Sequence, residues 1–136
     1  MSRSYLDPSD IPGAIAAMQA TPKFNTLSNA SGQTLTAAQM LQGILARSGA
    51  AGVSDTTPTA AALVAAVPGV SVGDVVTLLI RNANSGTLTI LAGNGVTLEG
   101  TTTIATNFAR EYAIRFTAVA SGSEAVTLSG LRTAAV

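Results

Sequence analysis

Cysteine, histidine and tryptophan are all absent from this chain. Without cysteine there is no disulfide framework, no thiolate nucleophile and no thiolate metal site. The missing histidine removes the usual general base, the usual nucleophile partner and the commonest metal ligand together. Charge is scarce: 10% of the residues are Asp, Glu, Lys or Arg, against about a quarter in an average globular chain. Seven acidic residues balance seven basic ones, so no net field attracts nucleic acid or an anionic membrane. Long apolar runs are missing too. The longest, Ala60 to Val67, is too short to cross a bilayer core of about 30 Å. The opening MSRSYLDPSD lacks the apolar core of a signal peptide. These absences predict a protein made in the cytoplasm, with neither a membrane nor a nucleic acid as partner.

They also leave little room for catalysis. Ser-His-Asp and Cys-His arrangements are impossible. The carboxylates stand singly, without HExxH-like or DxDxDG-like spacing, so no metal or cofactor site is expected. The GNG turn at 93–95 has none of the G-x-x-x-x-G-K-[ST] pattern of a phosphate loop. Phe108 and Phe116 read as core rather than as an exposed nucleic-acid platform. The expectation is a protein that is not an enzyme, with no catalytic, cofactor or metal residues.

What is present is Ala, Gly and Thr. A chain of 136 residues makes one domain with room for an appended arm. So little charge on its surface predicts that other protein covers much of it; the alternative is a compact monomer with a Thr/Ser/Asn surface.

Residues 1–33 are broken by Pro8, Pro12, Gly13, Pro22 and Gly32. They read as an arm that orders against a neighbour, or equally as a linking terminus. The arm's large apolar side chains, Tyr5, Leu6, Ile11, Ile15, Met18 and Phe24, are the candidate contacts with a partner. The alternative is that they pack back on their own domain. Residues 34–136 form the folded part.

Within that part, TLTAAQMLQGILARS (34–48) carries both periods. Thr36 and Gln39 have capping-box spacing, whereas Leu41, Gly43 and Leu45 alternate. A short helix running into a strand near Ile44–Arg47 satisfies both. In DTTPTAAALVAAVPG (55–69), Thr57 is the expected N-cap, Pro58 the first helical residue, and Leu63, Val64 and Val67 the packed face. Pro68-Gly69 stops the helix.

From residue 74 the period is two. DVVTLLIRN has apolar residues on both faces, as a central or helix-covered strand does. TLTILAG, VTLE, REYAIRFTAVA and AVTLSGL follow at roughly ten-residue spacing, separated by Gly/Asn/Ser turns. The fold predicted is mainly β: a small antiparallel β-sandwich or jelly-roll-like barrel, with one or two short helices and an extended N-terminal arm.

Three segments carry a resemblance: TAAQMLQGILARSG (36–49), DTTPTAAALVAAVPGVSVGD (55–74) and IRNANSGTLTILAGNGVTLEGTTTI (80–104). Together they resemble the small decoration, or cement, proteins of tailed-bacteriophage heads, over roughly residues 34–131. The most specific pieces are the D-T-x-P-T-A helix start and the T-L-T-I-x-A-G-N-G-V-T-L-x-G hairpin. The resemblance implies a structural protein on the outer surface of the virion. Its partners would be the major capsid protein and further copies of itself, as dimer or trimer, with the arm reaching a neighbouring subunit. Each contact in such a lattice can be weak, because clipping several subunits at once gives avidity. Two other readings stay open: a fibre or carbohydrate/host-binding β module, for which Tyr5 and Tyr112 are the only candidate platform residues, and a tail structural protein.

Overall fold

The computed structural model describes residues 22–136. Along them run β1 (Lys23–Ser28), α1 (Ala37–Leu41), β2 (Gly43–Ser48), β3 (Val53–Thr56), α2 (Ala60–Ala65), β4 (Val75–Asn82), β5 (Leu88–Leu91), β6 (Val96–Glu99), β7 (Thr103–Ile104), β8 (Phe108–Ala118) and β9 (Ala125–Ala135). The chain is mainly β, as its alternating pattern requires, and its strands form two sheets in a small sandwich-like fold. Six strands are ordered β1-β2-β4-β8-β9-β6 and three are ordered β3-β5-β7.

The sheets are mixed rather than purely antiparallel. β1 with β2, β2 with β4, β3 with β5 and β6 with β9 pair in parallel. β4 with β8, β8 with β9 and β5 with β7 pair antiparallel. Parallel neighbours need a crossover, and the two helices and the sheet-to-sheet connections supply them. From β4 to β8, consecutive strands alternate between the sheets. The turns at 83–86 and 93–95 therefore carry the chain across the sandwich instead of closing hairpins. TLTILAGNGVTLEG is accordingly not a hairpin: its halves, β5 and β6, belong to different sheets. The SGSE turn does close one, between β8 and β9.

The helix-into-strand expectation at 34–48 is met. Gln39 N donates to Thr36 Oγ1 at 3.1 Å, and Thr36 N donates to Gln39 Oε1 at 2.8 Å, a complete capping box. Gly43 then turns the chain at φ +114°, a backbone state L side chains rarely adopt.

The second helix starts later than the sequence predicts. Its N-cap is Thr59, whose Oγ1 accepts from Ala62 N at 3.1 Å. The Thr57 hydroxyl is otherwise engaged. It donates to Pro58 O at 3.0 Å and accepts from Gly93 N at 2.8 Å. Pro58 thus precedes the cap. The expected packing face is present: Leu63 and Val67 are fully buried and Val64 is partly so. Burying one such side chain contributes roughly 1.5–3 kcal/mol, against about 1 kcal/mol for the cap, so packing holds this short helix in place.

The core lies between the layers. Leu45, Leu78, Ile80, Tyr112, Ile114, Phe116, Val126 and Leu128 come from the larger sheet, Leu88, Ile90 and Ile104 from the smaller, and Met40, Leu41, Leu63 and Val67 from around the helices.

Candidate interaction surface

Opposite the core, the larger sheet has a second face. Aligned registers place Phe24, Ile44, Leu79, Glu111 and Arg132 in one row across five strands. Partners in register point to the same side of a sheet, so this row shares a face with Val75, two residues from Thr77 and four from Leu79 on β4. Val75 is 42% exposed and Phe24 59% exposed. Leu79 and Ile44 are half-buried. Among the described residues no helix or strand covers this side, which corrects the expectation that β4 is covered on both faces.

At the far end of the row is a shallow depression of about 190 Å³ lined by Leu79, Ala109, Glu111, Arg132, Ala134 and Val136, together with Thr133. Ala109 and Ala134 are opposed in register, and their small side chains make the floor low. Arg132 Nη2 lies 3.3 Å from Glu111 Oε1, with its side chain 79% exposed.

The near end of the row is anchored from the interior. Arg47 on β2 is fully buried, and all five of its N–H donors are used. Its Nε reaches Asp55 Oδ2 at 2.6 Å and one Nη2 hydrogen reaches Asp55 Oδ1 at 3.3 Å. The others go to the carbonyls of Asn29, Ser31 and Ser48 at 2.7–2.8 Å. Asp55, on β3, also accepts from Gln33 N at 2.9 Å. One side chain therefore ties the two sheets together and fixes the chain as it leaves β1.

Of the candidate contact residues, Phe24 is on β1 at the sheet edge, with its ring exposed. Tyr5, Leu6, Ile11, Ile15 and Met18 lie outside the described residues. Residues 23–28, within the segment read as an arm, are a strand of the larger sheet. Sequence reasoning missed Leu79, Ala109, Ala134 and Val136. The available signal was the second apolar face of DVVTLLIRN, taken as covered.

Other aromatic positions are also resolved. Tyr112 is 1% exposed and its hydroxyl has no protein partner. Burial pushes its pKa up to about 12, with the Arg110 charge pulling weakly the other way. A ring so placed cannot serve as a sugar platform. Phe116 is core, but Phe108, expected beside it, is 39% exposed, because it lies at the start of β8 opposite the end of β9.

The two segments most specific to the phage-decoration resemblance meet in space. Ala60 N at the start of α2 donates to Asn94 O at 2.9 Å, and Thr57 N donates to Leu91 O at 2.9 Å. A Cβ at Gly93 would fall 2.5 Å from Thr57 O and 2.7 Å from Pro58 O, so that glycine is what lets the loop dock on the helix start. Both segments serve packing.

Among the described residues no helix is long and apolar enough to cross a membrane, and no group of three or more Asp or Glu side chains is placed to hold a metal ion. No family model, no curated protein and no solved structure matches the chain.

Proposed function

We propose that this chain is a structural virion protein that binds the outer surface of an assembled phage head and cements adjacent major capsid subunits. The phage-head part rests on the resemblance of residues 36–49, 55–74 and 80–104 to small decoration proteins. The observation that supports a binding role is the uncovered sheet face with Phe24 exposed at its edge, at the point where residues 1–21 join the sandwich. Contiguous exposed apolar side chains on a chain so poor in charge are suited to contact with another protein. The Arg47 clasp holds β1 rigidly to both sheets, so a load taken by the N-terminal segment is passed into the core.

The test is co-sedimentation with capsids that lack the protein. Full-length chain is expected to pellet in a fixed ratio to capsid and to raise the heat resistance of the particles. Phe24→Ser and a chain lacking residues 1–21 are expected to bind at least tenfold more weakly while melting like the parent. A cut after residue 33 is unsuitable, because it removes β1 and the carbonyls that Arg47 holds. Absence of binding by the full-length chain rejects the reading and directs the assay to tail assembly and to glycans.

A further inference from the structure

β9 is longer than its outer neighbour. β6 covers only Val126–Ser129, while β8 accompanies β9 to Ala135. Leu131 to Ala135 therefore have a partner on one side alone, and every one of them is exposed. The orientation of their backbone follows from the ladder. Phe116 exchanges hydrogen bonds with the β4 side, through Phe116 N to Asp74 O and Gly73 N to Phe116 O. Alternation in an antiparallel ladder then aims Ala109 and Glu111 at β9, where they meet Ala134 and Arg132. Val136 N donates to Asn107 O in the same phase. The N–H and C=O groups of Leu131, Thr133 and Ala135 consequently face the open edge.

Open edges are usually protected by proline, by an inward-pointing charge or by a bulge in the free stretch. LRTAA (131–135) has no proline, and its single charge, Arg132, points to the outer face. The register irregularity on this strand, between Glu111 and Tyr112, comes before the free stretch. The opposite edge, β1, begins with Lys23 and offers Asn25, Thr26 and Ser28, so it is the more polar of the two.

We propose that two copies of this chain pair through the free edges of β9, antiparallel about Thr133, joining their six-stranded sheets across a twofold axis. The stretch is complementary to itself in that register. Thr133 meets Thr133, and Leu131 meets the partner's Ala135 on the inner side. On the outer side Arg132 meets the partner's Ala134, beside the depression floored by Ala109 and Ala134. The aliphatic stem of Arg132, now 79% exposed, gains an apolar shelf there. The two Arg132 guanidinium groups come close to the axis, and the Glu111 of each copy offsets them. Each opposed pair of outward-facing residues exchanges both its hydrogen bonds, and an interface with a twofold axis closes on itself without growing into a filament. The proposal does not require a capsid partner.

The test uses the full-length chain by analytical ultracentrifugation over a concentration series. A monomer–dimer equilibrium is expected. Leu131→Lys, which adds charge at an already exposed position, and Thr133→Pro, which deletes an outward-facing N–H, are each expected to weaken the dimer at least tenfold with unchanged melting. Because the chain has no cysteine, a single introduced one gives a clean crosslink. In the proposed register the two Thr133 Cα atoms lie about 5.5 Å apart, inside the range a disulfide spans. Thr133→Cys is therefore expected to form a covalent dimer under mild oxidation, and Ala135→Cys, displaced from the axis, is not. A chain that stays monomeric, a trimer, or a dimer unaffected by Leu131→Lys and not trapped by Thr133→Cys overturns the proposal. A dimer in solution that ignores capsids supports the pairing while rejecting the cement reading.

Discussion

Two arginine–carboxylate pairs occur among the described residues, and they share little beyond their chemistry. Arg47 and Asp55 are 2.6 Å apart with side chains 0% and 1% exposed, while Arg132 and Glu111 are 3.3 Å apart with side chains 79% and 31% exposed. The first pair joins β2 of one sheet to β3 of the other and has every donor of its arginine occupied. The second lies within one sheet, across β8 and β9, with water on three sides. Position in the layers decides what each contributes. Between the sheets, removing one partner leaves a buried charge with nothing to answer it. On the outer face, water replaces the lost partner, and the same residues remain available for contact with another molecule.

The largest expected effect breaks the inner pair. Asp55→Ala strands the Arg47 guanidinium and frees Gln33 N, and should cost about 3–5 kcal/mol in urea unfolding. The double variant Arg47→Met with Asp55→Leu should recover a large part of that loss, because it leaves no charge behind. Equal costs for the single and double variants would show that packing, not the stranded charge, dominates.

Next comes the contrast between the two faces in apolar side chains. Leu63→Ala, at a fully buried position on α2, should cost about 2–5 kcal/mol. Leu79→Ala, half-buried on the outer face, should stay under about 1 kcal/mol. Thermal unfolding of both, read together, tests whether the outer face is truly uncovered. A Leu79 cost as large as that of Leu63 would mean something packs over it.

Tyr112 sharpens the contrast through pH. Its pKa is raised from 10.0 to about 12 by burial. The folded state therefore keeps a phenol proton that the unfolded chain releases. That stabilisation is complete below about pH 10 and is lost as pH rises toward 12. The two-unit difference corresponds to about 2–3 kcal/mol of stability lost across that window. In a Tyr5→Phe background, ultraviolet phenolate absorbance should rise only near pH 12 or on unfolding, and an ordinary titration near 10 would reject the buried assignment. Tyr112→Phe should remove this share of the pH dependence. At neutral pH it should lie within about 1 kcal/mol of the parent, since the hydroxyl it deletes has no protein partner.

What was legible in the sequence follows the same division between local and distant. The start of α1 was readable because Thr36 and Gln39 satisfy each other three residues apart. The buried faces of β4, β8 and β9 were readable because alternation is a local property. The start of α2 was misplaced because Gly93, far along the chain, takes up the Thr57 hydroxyl. Sheet membership was not readable, because a strand that crosses the sandwich alternates just as a hairpin strand does. The Arg47–Asp55 clasp leaves no local pattern. For the interaction surface, Phe24 was marked by its isolation as a large apolar residue. Leu79 and Val75 were visible as apolar but were assigned a cover they do not have.

The smallest expected effect concerns the outer pair and completes the comparison. Arg132→Ala, measured on dilute monomer, should change stability by no more than about 1 kcal/mol, the range of exposed ion pairs. Glu111→Gln should be similarly mild, and added salt should change neither value appreciably, since screening has already removed most of the attraction. The same substitutions should act more strongly on association. Arg132→Ala removes a stem that would lie over the partner's Ala134, and Glu111→Gln leaves two arginines near the axis without their counter-charges. Dimer dissociation measured beside unfolding separates the two roles. A pair that matters for unfolding but not for association would be a structural clasp like Arg47–Asp55, and the distinction between inner and outer pairs would collapse. A pair that matters for association alone keeps the outer face as the side of the molecule that meets others.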